Sequence, residues 1–313
     1  MHRFATVLLA FFLSGCSWLL PEDMPHVAHD PVAGPLVKPL APRGLALVLS
    51  GGSARGFAHI GVIKVLEEAG IRPDLVVGTS AGSIIATLYA SGKSAAEMET
   101  ISRQAEGAMV GETDWLRLIR FRSLGIRASN GLHAFIAQQI GDRLIENMPI
   151  PLAVVATDLS TGTASAFTRG DAGHAVHASC AVPGAFEPVS VAGRLHADGG
   201  LASPLPVAVA RTLGARKVIA VDVIYPPTDS APPTSSLDVL FQSFLVQTFR
   251  LKEIERPLAD LVIAPEIPLT TSQNGFKDRV MLIAAGEAAA RRALPALRAL
   301  LARPDTRQSV GGR

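Results

Sequence analysis

Cysteine is nearly absent from this sequence. Cys16 and Cys180 are the only two in 313 residues, and their settings differ so much that a disulfide framework is not expected. A surplus of one charge is missing as well. The 29 Lys and Arg against 27 Asp and Glu leave a formal charge of +2, without the basic excess that marks a nucleic-acid partner. The N-terminal apolar stretch from Phe4 to Leu13 falls short of the ~20 residues a membrane-spanning helix needs. Internal repeats are lacking too. What is present is a chain 48% hydrophobic and 18% charged, able to bury one large core or two modest ones.

The first residues, MHRFATVLLAFFLSGC, run from a basic start (His2, Arg3) through that apolar stretch to Leu13-Ser14-Gly15-Cys16. This order reads as a secretory signal peptide over residues 1–15. Its end resembles the lipobox of bacterial lipoproteins, in which the cysteine is acylated and becomes the mature N-terminus. The resemblance implies lipidation at Cys16, a membrane partner through that anchor and, from Ser17, an outer-membrane address facing the periplasm. Prolines at 21, 25, 31, 35, 39 and 42 remove backbone donors and hold the chain extended, so residues 16–43 read as a stiff tether. Folding is expected from Gly44 to about Arg303 as one domain (44–303), with 304–313 a polar, frayed tail.

Within the folded part, Leu45 to Ser50 is a short apolar run ending at Gly51-Gly52, and the stretch from Phe57 to Gly70 has helical spacing of its apolar residues. A second run, Leu75 to Gly78, leads into SAGSIIATLYASG, again helical. Further strands are expected at 151–159, 216–224 and 259–265, and helices around 131–144, 203–213, 236–255 and 278–301. Strands alternating with helices predict an α/β fold, a mostly parallel central sheet with helices on both faces. In such a sheet, active groups gather at the carboxyl ends of the strands.

Both glycine-rich turns fall at such ends. Gly78-Thr79-Ser80-Ala81-Gly82 fits G-x-S-x-G, in which a serine on a sharp strand-to-helix turn needs small neighbours. The helix N-terminus behind it favours an alkoxide; a plain N-cap is the alternative. Ser50-Gly51-Gly52-Ser53-Ala54-Arg55-Gly56 fails as a dinucleotide fingerprint, because Ser53 stands in place of the second glycine. It fails as a P-loop because Phe57 and Ala58 replace the Lys and Ser/Thr. What remains is a run of backbone N–H groups able to stabilise an oxyanion.

A serine nucleophile needs a base. An α/β-hydrolase places its histidine beyond the later strands, yet all eight histidines here lie at or before His196, which argues against that triad. His174, His177 and His196 remain possible bases. Asp198-Gly199-Gly200 is the better candidate, since a carboxylate followed by two glycines can sit on a bend close to another backbone; an ordinary Asp-Gly turn competes. In 235–255, Ser235 and Asp238 fit a capping box, and an apolar stripe runs through Leu237, Leu240, Phe241, Phe244 and Leu245. A core helix is expected there, with a lid or membrane-facing helix as the alternative. Cys180 is expected to be a small buried residue.

Taken in order, LVLSGGSARGFAHIGVIKVLEEAGI, VVGTSAGS, VVATDLSTG, ASCAVPGAFEPV and HADGGLASPLPV resemble the patatin-like phospholipases, in particular the bacterial branch with a compact single domain. The resemblance is close over residues 44–210. It implies a three-layer patatin-like α/β fold and a Ser-Asp dyad with Ser80 as nucleophile and Asp198 as base. It also implies an oxyanion hole from Gly51, Gly52, Ser53 and Arg55, Ser53 standing where the family has a third glycine. The activity implied is a lipid acyl hydrolase of phospholipase A or lysophospholipase type acting on phospholipid or another acyl ester, with no cofactor or metal. A carboxylesterase or thioesterase on soluble acyl esters, and a non-catalytic lipid-binding lipoprotein, are the competing readings.

Overall fold

A computed structural model describes residues 29–36, 40–41, 44–104, 125–127, 130–141, 143–227, 233–268 and 276–303. The expected signal peptide (1–15), Cys16, Ser17 and the tail 304–313 lie outside these residues.

The chain enters through a two-residue strand, β1 (Val32–Ala33), then β2 (Leu45–Leu49) and helix α1 (Ala58–Glu68). Next come β3 (Leu75–Thr79), α2 (Ala81–Ala90), α3 (Ala95–Ser102), β4 (Gly125–Arg127) and α4 (Asn130–Ile140). The middle of the chain supplies β5 (Leu152–Asp158), β6 (Ala164–Arg169), α5 (Ala172–Ser179), β7 (Gly184–Phe186), β8 (Val189–Val191) and β9 (Arg194–Asp198). It closes with α6 (Val207–Thr212), β10 (Lys217–Val221), α7 (Ser236–Glu255), β11 (Leu261–Ile263) and α8 (Arg279–Ala302).

Strands β3, β2, β10 and β11 lie side by side and parallel, and β5 continues the parallel set beyond β3. Strand β2 sits inside it, and all five of its residues are fully buried. Covered on both faces, such a strand is a continuous apolar run rather than an alternating one. Leu45, Leu47 and Leu49 join α1, α2 and α8 on one face, while Ala46 and Val48 meet Leu205, Val207 and Ala210 around α6 on the other. Helices α1 and α8 touch backbone to backbone. A Cβ on Gly61 would stand 2.0 Å from the Ile283 carbonyl, and one on Gly286 would stand 2.0 Å from that of Ala58.

The structure departs from the sequence reading in three places. Residues 29–36 are docked rather than tethering. Strand β1 pairs antiparallel with β6, Asp171 donates its N–H to the His29 carbonyl at 2.8 Å, and Leu36 and Leu40 pack against the second core. Strands β6, β8 and β9 add an antiparallel wing between residues 164 and 198. The apolar stripe of α7 is not in the core: Leu237, Val239, Leu240 and Phe241 are exposed, and the helix is buried instead through Thr248, Lys252 and Glu255.

Candidate active site

The topology makes two strands end face to face. Strand β3 runs parallel to β5 and stops with Thr79 opposite Val155. Strand β6 occupies the other edge of β5 from Val154 to Thr157, so β9 must approach on the edge used by β3. It arrives antiparallel and stops with Asp198 opposite Ala156, one rung further on. The residue leaving β3 and the last residue of β9 are thereby brought together: the Ser80 hydroxyl donates to Asp198 Oδ2 at 2.7 Å.

Ser80 itself is held in a conformation that L residues rarely adopt, with φ 51° and ψ −127°. Such backbone costs ~1–3 kcal/mol and persists only where its surroundings enforce it. Three contacts do so. Its carbonyl accepts the N–H of Ser83 at 2.8 Å and of Ile84 at 3.4 Å, and its own N–H goes to Ser179 Oγ at 2.8 Å. The flanking glycines are there for space. A Cβ on Gly78 would stand 2.5 Å from the Gly82 carbonyl, and one on Gly82 2.3 Å from that of Leu49. The turn leaves Ser80 at the N-terminus of α2, where the helix dipole stabilises negative charge.

Asp198 is 1% exposed. Its Oδ1 accepts the Gly200 N–H at 2.7 Å, and its backbone carbonyl takes the Thr157 hydroxyl at 2.8 Å. Burial pushes the carboxyl from its ordinary 3.8 up to about 7, against the opposing hydrogen bonds from Gly200 and Ser80. A carboxylate so placed is a usable base near neutrality.

The glycine-rich turn after β2 faces the same space. Two of its four candidate oxyanion donors are already engaged: the Gly51 N–H donates to the Pro204 carbonyl at 3.0 Å, and the Arg55 N–H to that of Gly52 at 3.1 Å. Among the described residues the N–H groups of Gly52 and Ser53 make no hydrogen bond. Ser53 takes the φ of 51° that a glycine would tolerate more easily. The Arg55 side chain lies with its guanidinium 5.1 Å from the centre of the Tyr225 ring, and burial lowers its pKa from the ordinary value. A cleft opens here, bounded by Gly52, Ser53, Ser80 and Asp198 and, across from them, by Phe244 and Leu245 of α7.

The family model described as patatin-like phospholipase matches residues 47–211, more than half of the chain. The chain belongs to the patatin-like phospholipase family. Mouse patatin-like phospholipase domain-containing protein 6 is 35% identical over 190 residues, covering 60% of this chain and 14% of that protein. An uncharacterized NTE family protein of Mycobacterium tuberculosis is 32% identical over 298 residues, covering 87% of this chain and 50% of that protein. The chain thus spans half or less of the length of these curated relatives. Among solved structures, VipD from Legionella pneumophila aligns at TM-score 0.44 and 14% identity over 90% of this chain and 72% of that one. ExoU in the ExoU-SpcU complex of Pseudomonas aeruginosa aligns at TM-score 0.41 and 19% identity, over 90% and 59%.

In this patatin-like chain the histidines weighed as bases are occupied elsewhere. His174 Nε2 donates to the Ser190 carbonyl at 2.9 Å, and His196 contacts Ser165 Oγ and the Arg194 carbonyl. His177 stands edge-on to His174 at 6.3 Å, its pKa lowered to about 4 by burial. Cys180 is only partly buried; its sulfur is 3.9 Å from Ser83 Oγ, and desolvation beside Asp198 raises its pKa. Sequence reasoning missed Ser179, whose hydroxyl accepts from Ser80 and donates to the Val155 carbonyl at 2.6 Å. A serine at the end of an ordinary helix carries no pattern that would have singled it out. It also missed Thr248, whose hydroxyl donates to the Gly200 carbonyl at 3.3 Å and ties α7 to the Asp198 turn.

Proposed function

We propose that this protein is a serine lipid acyl hydrolase of the phospholipase A or lysophospholipase type, working through a Ser80–Asp198 dyad. The observation that carries the reading is the 2.7 Å hydrogen bond from a strained elbow serine to a buried carboxylate whose pKa stands near 7. Ser80 Oγ attacks the ester carbonyl as its proton passes to Asp198 Oδ2, giving a tetrahedral oxyanion. The N–H groups of Gly52 and Ser53, the two of the four candidate donors left without acceptors, hold that oxyanion. Asp198 then returns the proton to the departing alkoxide and leaves an acyl-enzyme. A water molecule then attacks the acyl carbonyl while giving its proton to Asp198, which passes it to Ser80 Oγ as the fatty acid leaves. Without histidine, the chain relies on desolvation to make the carboxylate basic enough.

Support for a lipid substrate over a water-soluble ester comes from α7, which places Phe244 and Leu245 at the cleft and bares Leu237, Leu240 and Phe241 beside it. Exposed apolar patches next to a site mark contact with lipid or protein. In this reading the resemblance of Leu13–Cys16 to a lipobox supports acylation at Cys16, a second membrane contact and a place in the bacterial envelope on the periplasmic side of the outer membrane.

Fatty-acid release from phospholipid vesicles by the full chain, beside Ser80→Ala and Asp198→Ala, tests the proposal. Cleavage by the wild type alone is expected. Hydrolysis limited to short soluble esters would favour the esterase reading, and inertness on every ester would favour a lipid-binding protein.

A further inference from the structure

A second pocket lies on the other side of the Ser53 turn and differs from the catalytic cleft in chemistry. Its walls come from the turn Ser53–Phe57 and from α1, α2, α3 and α4, and only Ser53 and Ser102 among its lining residues carry a hydroxyl; the rest, including Ile84, Leu88, Met98 and Phe135, are apolar. Ser53 lines both cavities, and Ala81, the residue after the nucleophile, lines this one.

The cavity has a direction. It follows α2 from Ala81 to Leu88, a rise of ~10 Å. Helix α3 turns back beside α2 after a connection of only four residues, Ser91 to Ser94. The end near Ser53, Ala81 and Ser102 is therefore the one beside the oxyanion turn, and the end nearest the α2–α3 connection is closed by Leu88 and Met98, 2% and 0% exposed. An apolar pocket that begins at Ala81, the residue after Ser80, has no use for a headgroup. The cleft on the opposite side, with Arg55, Tyr225 and Thr248 among its walls, does.

Resting on the acyl-hydrolase reading, we propose that this cavity receives the acyl chain of the substrate and that Met98 at its floor sets the chain length. The ester carbonyl then sits at the Ser53 turn, its acyl chain along α2 and its alcohol half in the polar cleft beneath α7.

The test compares kcat/KM of the full chain on p-nitrophenyl butyrate and p-nitrophenyl decanoate. Transfer of hydrocarbon from water to an apolar site is worth about fourfold per methylene, so the wild type is expected to prefer decanoate. Met98→Trp, which fills the floor, is expected to lower the decanoate-to-butyrate ratio at least tenfold, whereas Met98→Ala moves the optimum to longer chains. A ratio within twofold of the wild type in both variants overturns the proposal. Should the wild type cleave no ester, the catalytic reading fails and the cavity is tested by binding. In the Ser80→Ala chain carrying ¹³C-methyl methionine, with the Met98 signal assigned through Met98→Leu, decanoate and not butyrate is expected to shift that signal. A Met98 signal that decanoate leaves in place overturns the proposal as well.

Discussion

Ser179 stands between Ser80 and the sheet: its hydroxyl accepts the Ser80 N–H at 2.8 Å and donates to the Val155 carbonyl at 2.6 Å. A positive φ at Ser80 is held partly from outside the elbow, by a side chain 99 residues away. Ser179→Ala removes both bonds and leaves a buried donor and acceptor unmatched. Stability is expected to fall by about 1–3 kcal/mol, and kcat to fall by about tenfold with KM little changed, because the elbow and not the binding cleft is loosened. Urea titration and steady-state kinetics measure the two.

Asp198 links activity and stability to pH with opposite signs. In the proposed dyad it acts as base and must be deprotonated, so kcat/KM is expected to rise with pH through an apparent pKa near 7. The folded carboxyl binds its proton more tightly than the unfolded one at about 3.8. Its contribution therefore favours folding at low pH and is lost as pH climbs from about 4 to about 7.

Asp198→Asn removes that cost, because an amide can still accept from Gly200 and donate to Ser80. Activity is expected to drop ~10²–10⁴-fold, while Tm at pH 8 rises above the wild type and the gain shrinks at pH 5. A variant as stable as the wild type at both values would show that burial of Asp198 costs nothing.

Helix α7 is fastened through charge. Lys252 Nζ lies 3.2 Å from Asp222 Oδ2, both side chains being almost fully buried, and donates to the Ile224 carbonyl at 3.1 Å. Lys252→Met leaves the buried Asp222 only the more distant Arg256, whose Nε lies 3.7 Å from Oδ2, and is expected to cost up to about 3–5 kcal/mol. Adding Asp222→Asn is expected to recover a good part of that loss, as a double-mutant cycle in urea will read.

The bare half of the same helix serves a different purpose. Phe241→Glu, at a residue 37% exposed, is expected to lower the ratio of vesicle to soluble-ester hydrolysis about tenfold without lowering Tm. An unchanged ratio would detach α7 from the lipid surface.

The elbow and Asp198 were legible because sterics write them into short patterns: two glycines that another backbone crosses, and a carboxylate before two more. Helix α7 was misread because an apolar stripe was assumed to point inward, whereas its inward residues Thr248, Lys252 and Glu255 are polar and satisfied by partners distant in sequence. The wing holding β9 escaped notice since RLHAD has no apolar run; it is a strand only because β5 and β8 offer it ladders. The start of the fold moved from Gly44 back to the stretch around Val32 for a similar reason, as prolines that suggested a spacer leave room for two residues to pair with β6.

Strand β10 lies between β2 and β11 in the sheet, yet it begins at Lys217, after the family match has ended at residue 211. A fragment cut at that boundary would keep every catalytic candidate and still bare the whole edge of β2, five residues of unpaired ladder prone to join another chain. It would also strip α8 from α1, the helix that follows the glycine-rich turn. The motif-bearing part is thus not separable from what comes after it. The last third of the chain, which holds no candidate for chemistry, is the keel on which the two ends of the active site are kept in line.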